Sequence, residues 1–379
     1  GKSLLWLLFF GEVNIPYTGG FFYYFYITNN YLYLVSQLRN LSKYMKILLI
    51  QLRRIGDVMM CTPAVRSVRK AYPDAVIHFL TEPPADQILQ YNTHIDKLII
   101  FKKNISIFEK VQMILRFRKE KYDIVIDFHS NPTTGWFSLI SGSKKRIGEY
   151  HKARRFFYTK TAKLGKYKYA GYAKFSFLEA ADITPDFGKI EFFISEKERV
   201  AASNFLSELG AQKNDKIITV SPVSRQPYKV WPLDRFAKVC DYIIDKYNVK
   251  ILFIYGPGEE HFIEDVKSMM SNDTLPLYQP ISLSETRAVF EKAVMHIGND
   301  NGPMHIAISS GIPTVAVFGK PSAAGWTPPN SSINIGIDND PGCKKNCVYP
   351  ECGLECLKSI KTERVIGEID NIIKREALL

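Results

Sequence analysis

The sequence predicts an α/β protein of two halves, each built on a parallel sheet, with a ligand cleft between them. Three observations carry the prediction. From Met45 onward, apolar runs of strand length alternate with amphipathic runs of helix length, the signature of successive βαβ units. The alternation pauses once, around residues 186–194, and then restarts. At 379 residues the chain also exceeds the size at which one hydrophobic core keeps growing.

In order, Ile47 to Gln51, Ala75 to Leu80, Lys97 to Phe101 and Tyr122 to Phe128 read as buried parallel strands, with Ile107 to Lys119 as an amphipathic helix. The second series has strands at Lys216 to Val220, Lys250 to Tyr255, Val294 to Gly298 and Thr314 to Phe318. Helices near Leu233 to Lys246, Glu259 to Met270 and Glu285 to Ala293 lie between them. A last helix, Thr362 to Arg375, places Val365, Ile366, Ile369, Ile372 and Ile373 at helical spacing, so one face must pack on something. The expected domains are 45–190 and 191–360, with 361–379 packing back across both.

Polar turns after these strands are the candidate sites, because ligands of open α/β sheets bind at the carboxyl ends of the strands. Gly298 to Ala307 (GNDNGPMHIA) follows a strand and opens a short helix. Its amides suit a phosphate, and Asp300 can accept from sugar hydroxyls, or Asp300 simply caps the helix. Asp57, in RRIGDVMMCTPA after the first strand, can act as a general base or as a cap. Ser221 and Ser224 can donate to phosphate oxygens, and Lys229 before Trp231-Pro232 supplies positive charge for a leaving diphosphate. Glu259 and Glu260, in YGPGEEH, can accept from ribose hydroxyls. No G-x-G-x-x-G occurs at a strand-to-helix junction, which argues against a nicotinamide enzyme.

A composition of 46% hydrophobic and 23% charged residues is ordinary for a globular chain, but the formal charge of +12 points to a polyanionic partner. The charge concentrates in residues 144–168, where Lys144, Lys145, Arg146, Arg154 and Arg155 are interleaved with aromatic residues and opposed by Glu149 alone. That mixture suits a phosphate-bearing amphiphile. Residues 1–44 read as a non-core extension or a mis-called start preceding Met45, with an interfacial membrane anchor as the alternative. Cys343, Cys347, Cys352 and Cys356 crowd one segment and can ligate zinc; their spacing is looser than paired C-x2-C, so reduced thiols in a packed loop are preferred.

Together, KILLIQLRRIGDVMMCTPAV, YDIVIDFHSNPTTGWFSLISGSKKRIGEY, the KVWP segment, YGPGEEH and GNDNGPMHIAISSGIPTVAVFG resemble the heptosyltransferase family of bacterial lipopolysaccharide synthesis, glycosyltransferase family 9. The resemblance spans Met45 to the carboxyl terminus. It implies the GT-B arrangement of two facing Rossmann-like domains. It also implies inverting, metal-independent transfer of a heptose from ADP-heptose to an inner-core sugar, without a cofactor.

On that resemblance Asp57 is the catalytic base and Lys229 sits at the donor phosphates. Asp300, Asn301, Gly302, Met304 and His305 form the donor signature, beside which Ser221 and Ser224 are expected to bind the donor too, and Glu260, or Glu259, lies near adenosine. Arg53 and Arg54 stand where members of the family vary, and with the 144–155 cations they are the expected contacts of an anionic lipid A–core acceptor. A cytoplasmic enzyme, peripheral at the inner membrane face and with no nucleic-acid partner, is the expectation. The alternatives are a related GT-B enzyme using another nucleotide sugar for a different surface glycan, and a non-catalytic polyanion-binding protein.

Overall fold

In the computed structural model, which describes residues 44–102, 106–343 and 346–379, the strands form two sheets, parallel throughout. The expectations for residues 1–43 lie outside the described residues. The first sheet comprises β1 (Lys46–Ile50), β2 (Val76–Thr81), β3 (Lys97–Ile100), β4 (Ile124–Asp127), β5 (Lys145–Glu149) and β6 (Lys160–Ala162), ordered β3-β2-β1-β4-β5-β6. The second comprises β7 (Ile217–Ser221), β8 (Lys250–Phe253), β9 (Met295–Asn299), β10 (Thr314–Phe318) and β11 (Asn334–Asp338), ordered β11-β10-β9-β7-β8.

Strand direction of travel reverses between β1 and β4 in one sheet and between β7 and β9 in the other. Such switch points leave a crevice at the carboxyl ends of the strands.

The principal helices are α1 (Ile55–Met59), α2 (Thr62–Ala71), α3 (Ile107–Glu120), α4 (Pro132–Ile140), α5 (Glu196–Glu208), α6 (Leu233–Tyr247), α7 (Glu260–Ser268), α8 (Leu283–Lys292), α9 (Gly302–Ser310) and α10 (Thr362–Glu376). β1 shows why continuous apolar runs become central strands. Ile47 and Leu49 pack in a core with Val58, Ala64, Val65 and Val68, whereas Leu48 and Ile50 pack on the other face with Phe117, Val125 and Phe137. Both faces are covered, so both sets must be apolar.

Three strands lack that signal. β5, β6 and β11 have mixed polar sequences and bury only part of their length, as strands toward a sheet edge do. The basic segment expected as a surface run between the halves therefore supplies the edge of the first sheet, with Ile147 registered on Lys160.

Residues joining the two sheets are pinned to α2. Arg66 donates to Asp186 Oδ2 at 3.2 Å and to Glu191 Oε1 at 2.7 Å, and the Asp186 and Glu191 amides donate to Ser67 Oγ and Thr62 Oγ1. At the other end of the chain, α10 buries Val365, Ile369, Ile372 and Ile373 in the core of the second sheet, each such side chain contributing about 1.5–3 kcal/mol. Tyr242, Lys246 and Tyr247 of α6 all donate to Asp370.

Candidate active site

β1 is followed by Gln51 and Leu52, and the chain then turns through Arg53 and Arg54 with φ of 52° and 58°. This left-handed turn opens α1 and sets Asp57 in its first turn, half-buried. Burial raises the Asp57 carboxyl above its ordinary value, while Lys174, then Arg54 and Lys229, pull it back down. Lys174, 117 residues further along, reaches this point because its segment packs beside the β1 and β4 ends. Its Nζ donates to Gln51 Oε1 at 3.1 Å and to the Phe128 carbonyl at 3.2 Å.

Gln51 Nε2 lies 3.0 Å from His129 Nδ1. Burial, Lys174 and Arg53 hold that imidazole down at about 4, so it is neutral near pH 7 and Nδ1 can accept from the Gln51 amide.

On the second sheet, β9 runs into Asn299 and Asp300, and Asn301 caps α9. The Asn301 side chain accepts from the Met304 amide at 3.0 Å and donates to Ser221 Oγ at 2.7 Å and to the Val223 carbonyl at 2.9 Å. One residue thus caps the helix and ties it to the end of β7. Asp300 is 2% exposed, and Lys229 Nζ stands 2.6 Å from its Oδ2. Burial raises the Asp300 carboxyl, and Lys229 opposes that shift.

Lys229 sits on a short 3₁₀ turn, Pro227–Lys229, fixed by its neighbours. The Trp231 amide donates to Asn299 Oδ1 at 3.0 Å, and Trp231 Nε1 to the Ile360 carbonyl at 3.0 Å. Gly319 allows the turn to approach β10, since a Cβ there would lie 2.2 Å from the Tyr228 carbonyl oxygen.

The two walls touch. A Cβ on Gly56 would lie 3.0 Å from His305 Cδ2, so the missing side chain lets α1 meet α9 one residue before Asp57. Burial and Lys229 push the His305 imidazole down to about 3, which keeps it neutral. His305 Nδ1 and Asn299 Nδ2 are buried and find no hydrogen-bond partner among the described residues. Buried polar groups of this kind are rare in folded proteins and call for a partner such as a water, an ion or a ligand group.

The structure brings Asp57, Lys229, Asp300 and His305 together. It gives other sequence-level candidates different occupations. Ser221 is fully buried with its hydroxyl engaged by Asn301, while Ser224 is half-buried on the following loop. Of the amides expected at the α9 start, that of Met304 is taken by the cap and Pro303 has none. Glu259 closes its own turn by accepting from the Gly256 amide at 2.8 Å, which leaves Glu260 as the less committed of the two acids.

Among the basic residues, Lys145 pairs with Asp182 and donates to the Ala181 carbonyl. Arg146 donates to the Phe157 and Ser143 carbonyls, and Arg154 to the Ser130 carbonyl. Lys144, Arg155, Arg53 and Arg54 are exposed. The open cluster read from the sequence is therefore smaller, because strand formation turns Lys145 and Arg146 toward internal acceptors.

Sequence reasoning missed Lys174, Gln51, His129 and Asp127. Asp127, at the end of β4, is fully buried and its carboxyl is raised by burial to about 6. It accepts from Tyr158 Oη at 2.8 Å and from the Ser130 amide at 2.8 Å, stitching β4 to the segment that carries Arg154. Cys343, Cys347, Cys352 and Cys356 line one cavity of about 250 Å³ together with Tyr228 and Lys320. Among the described residues no three metal-ligating side chains are arranged to hold an ion, and no helix is long and apolar enough to cross a membrane.

Residues 111–357 match the model of glycosyltransferase family 9 (heptosyltransferase). The chain is 26% identical over 296 residues to lipopolysaccharide heptosyltransferase 1 of Campylobacter coli, covering 73% of this chain and 84% of that protein. A family 9 glycosyl transferase structure from Veillonella parvula superimposes with a TM-score of 0.79 at 28% identity, over 88% of this chain and 98% of that one. The E. coli ADP-heptose lps heptosyltransferase II structure gives 0.73 at 20% identity, over 88% and 100%.

Proposed function

The chain belongs to glycosyltransferase family 9 and has the GT-B fold, and on that premise we propose that it moves a heptose from ADP-heptose to a sugar hydroxyl of a lipopolysaccharide inner core, inverting the anomeric carbon. The observation that carries this reading is the pairing of Lys229 with buried Asp300 at one switch point, with Asp57 across the Gly56–His305 contact at the other. Asp57 takes the proton of the acceptor hydroxyl as its oxygen forms the new bond to the anomeric carbon, and the bond to the diphosphate breaks on the opposite face. Lys229 and the amino terminus of α9 stabilise the charge that collects on the departing ADP. In this role the protein needs no metal at the diphosphate.

Asp300 and the unpartnered His305 Nδ1 and Asn299 Nδ2 orient the donor, and Glu260 is the acid nearest to adenosine. Arg53, Arg54, Lys144, Arg154 and Arg155 meet the phosphates of a lipid A–core acceptor presented at the inner face of the cytoplasmic membrane. Two measurements test the reading. Asp57→Asn should keep the wild-type denaturation midpoint and lose transfer by about 10²–10⁴-fold; wild-type turnover would remove Asp57 as the base. In a heat-shift titration ADP should stabilise the protein more than UDP or GDP, and a UDP or GDP preference would reassign the donor.

A further inference from the structure

We propose that the outer faces of α3 and α4 dock on an anionic lipid bilayer. Phe108, Val111 and Leu115 of α3, Trp136 of α4 and Phe156 beyond β5 are between 45% and 67% exposed. Spaced three and four residues apart, the α3 positions form a stripe on the side of the helix opposite buried Phe117. The helices lie side by side through the Phe117–Phe137 ring contact at 5.7 Å, and Trp136 continues to Phe156 at 6.4 Å. Large aromatic and aliphatic side chains left exposed on two adjacent helices mark an interaction surface.

The charges around this face select the occupant. Glu120 of α3 is ion-paired, and Glu109 stands at the opposite end of the helix from Arg116, Arg118 and Lys119. Glu109 accepts from the Ser106 amide and hydroxyl as part of the capping box, and Glu120 is held by Lys46 and Lys97. Arg116, Arg118 and Lys119 on the same helix are exposed and make no ion pair among the described residues. Apolar side chains rimmed by uncompensated cations match the acyl boundary and headgroups of an anionic leaflet.

The position fits as well. α4 begins directly after β4, at the sheet edge where Asp57 lies. A bilayer-seated acceptor would keep its acyl chains in the membrane while its sugars reach the cleft. This clause alone rests on the acceptor proposed above.

The test is co-sedimentation of the full chain with phosphatidylcholine vesicles with and without phosphatidylglycerol. Wild-type protein should bind the phosphatidylglycerol vesicles and be released by high salt. Phe108→Ser/Val111→Ser/Leu115→Ser and, separately, Arg116→Glu/Lys119→Glu should each weaken binding by about tenfold or more. The charge-reversal pair lies on the surface and keeps the test valid if the apolar triple fails to fold. Undiminished binding by the charge-reversal pair, or equal wild-type binding to neutral vesicles, would overturn the proposal. So would sedimentation velocity showing a wild-type dimer that the triple variant dissolves, because the face would then belong to a second copy. Transfer to an acyl-free core oligosaccharide should be unchanged in both variants. Failure of wild-type transfer to that fragment, with vesicle binding intact, would count against the acceptor and leave the docking face standing.

Discussion

Replacing Lys229 by Met separates what the lysine does for the fold from what it does for chemistry. Asp300 is 2% exposed, and its carboxylate is held against burial by Lys229 Nζ at 2.6 Å. Removing one member of such a pair leaves a buried charge without a partner, which costs about 3–5 kcal/mol when both are fully buried. The Lys229 side chain is 21% exposed, so the lower end, about 3 kcal/mol, is expected here.

The sign with pH follows from the direction of the shift. A carboxyl whose folded pKa is raised contributes stability that is present in acid and lost as pH rises through the folded pKa. Lys229→Met raises that pKa further, so the variant should approach wild-type stability in mild acid and fall away toward pH 8. Urea denaturation at a series of pH values reads this directly. Adding Asp300→Asn should restore most of the stability at pH 8 without restoring transfer. A single variant as stable as wild type at pH 8, or a double variant with no recovery, would refute the account of Asp300 as a buried charge dependent on Lys229.

Two other outcomes follow from the same site. Lys174 is the largest single charge favouring ionised Asp57, so Lys174→Ala should move the acidic limb of the kcat profile to higher pH, whereas Lys174→Arg should return it; an unmoved limb would make Lys174 merely structural. Arg155, exposed beyond β5, should on reversal to Glu raise the acceptor KM several-fold and leave the donor KM unchanged, and equal changes in both would argue against an acceptor role.

β1 was legible because it is covered on both faces and must be apolar on both, and the Gly-containing polar turn after β9 stood out behind its buried run. Asp57 and Asp300 came with them. β5 was not legible, since a strand reading Lys-Arg-Ile-Gly-Glu has neither a continuous apolar run nor a clean alternation. Its cations looked like a surface cluster until the backbone fixed where each side chain ends. Lys174 had no local signal at all; only the folding of a distant segment against the β1 and β4 ends gives it meaning. Asp127 reads in sequence as one more acid at a strand end, and its tight set of donors comes from its own turn and from the distant Tyr158.

The hydrogen bond from Trp231 to the Ile360 carbonyl has a practical side. Arg235 donates to the same carbonyl, so the residue just ahead of α10 is clamped from two directions by the loop and helix that follow Lys229. The last stretch of the chain is thereby an abutment for the donor lysine. A deletion that begins before Ile360 should be designed, and its kinetics interpreted, as an alteration of the nucleotide pocket.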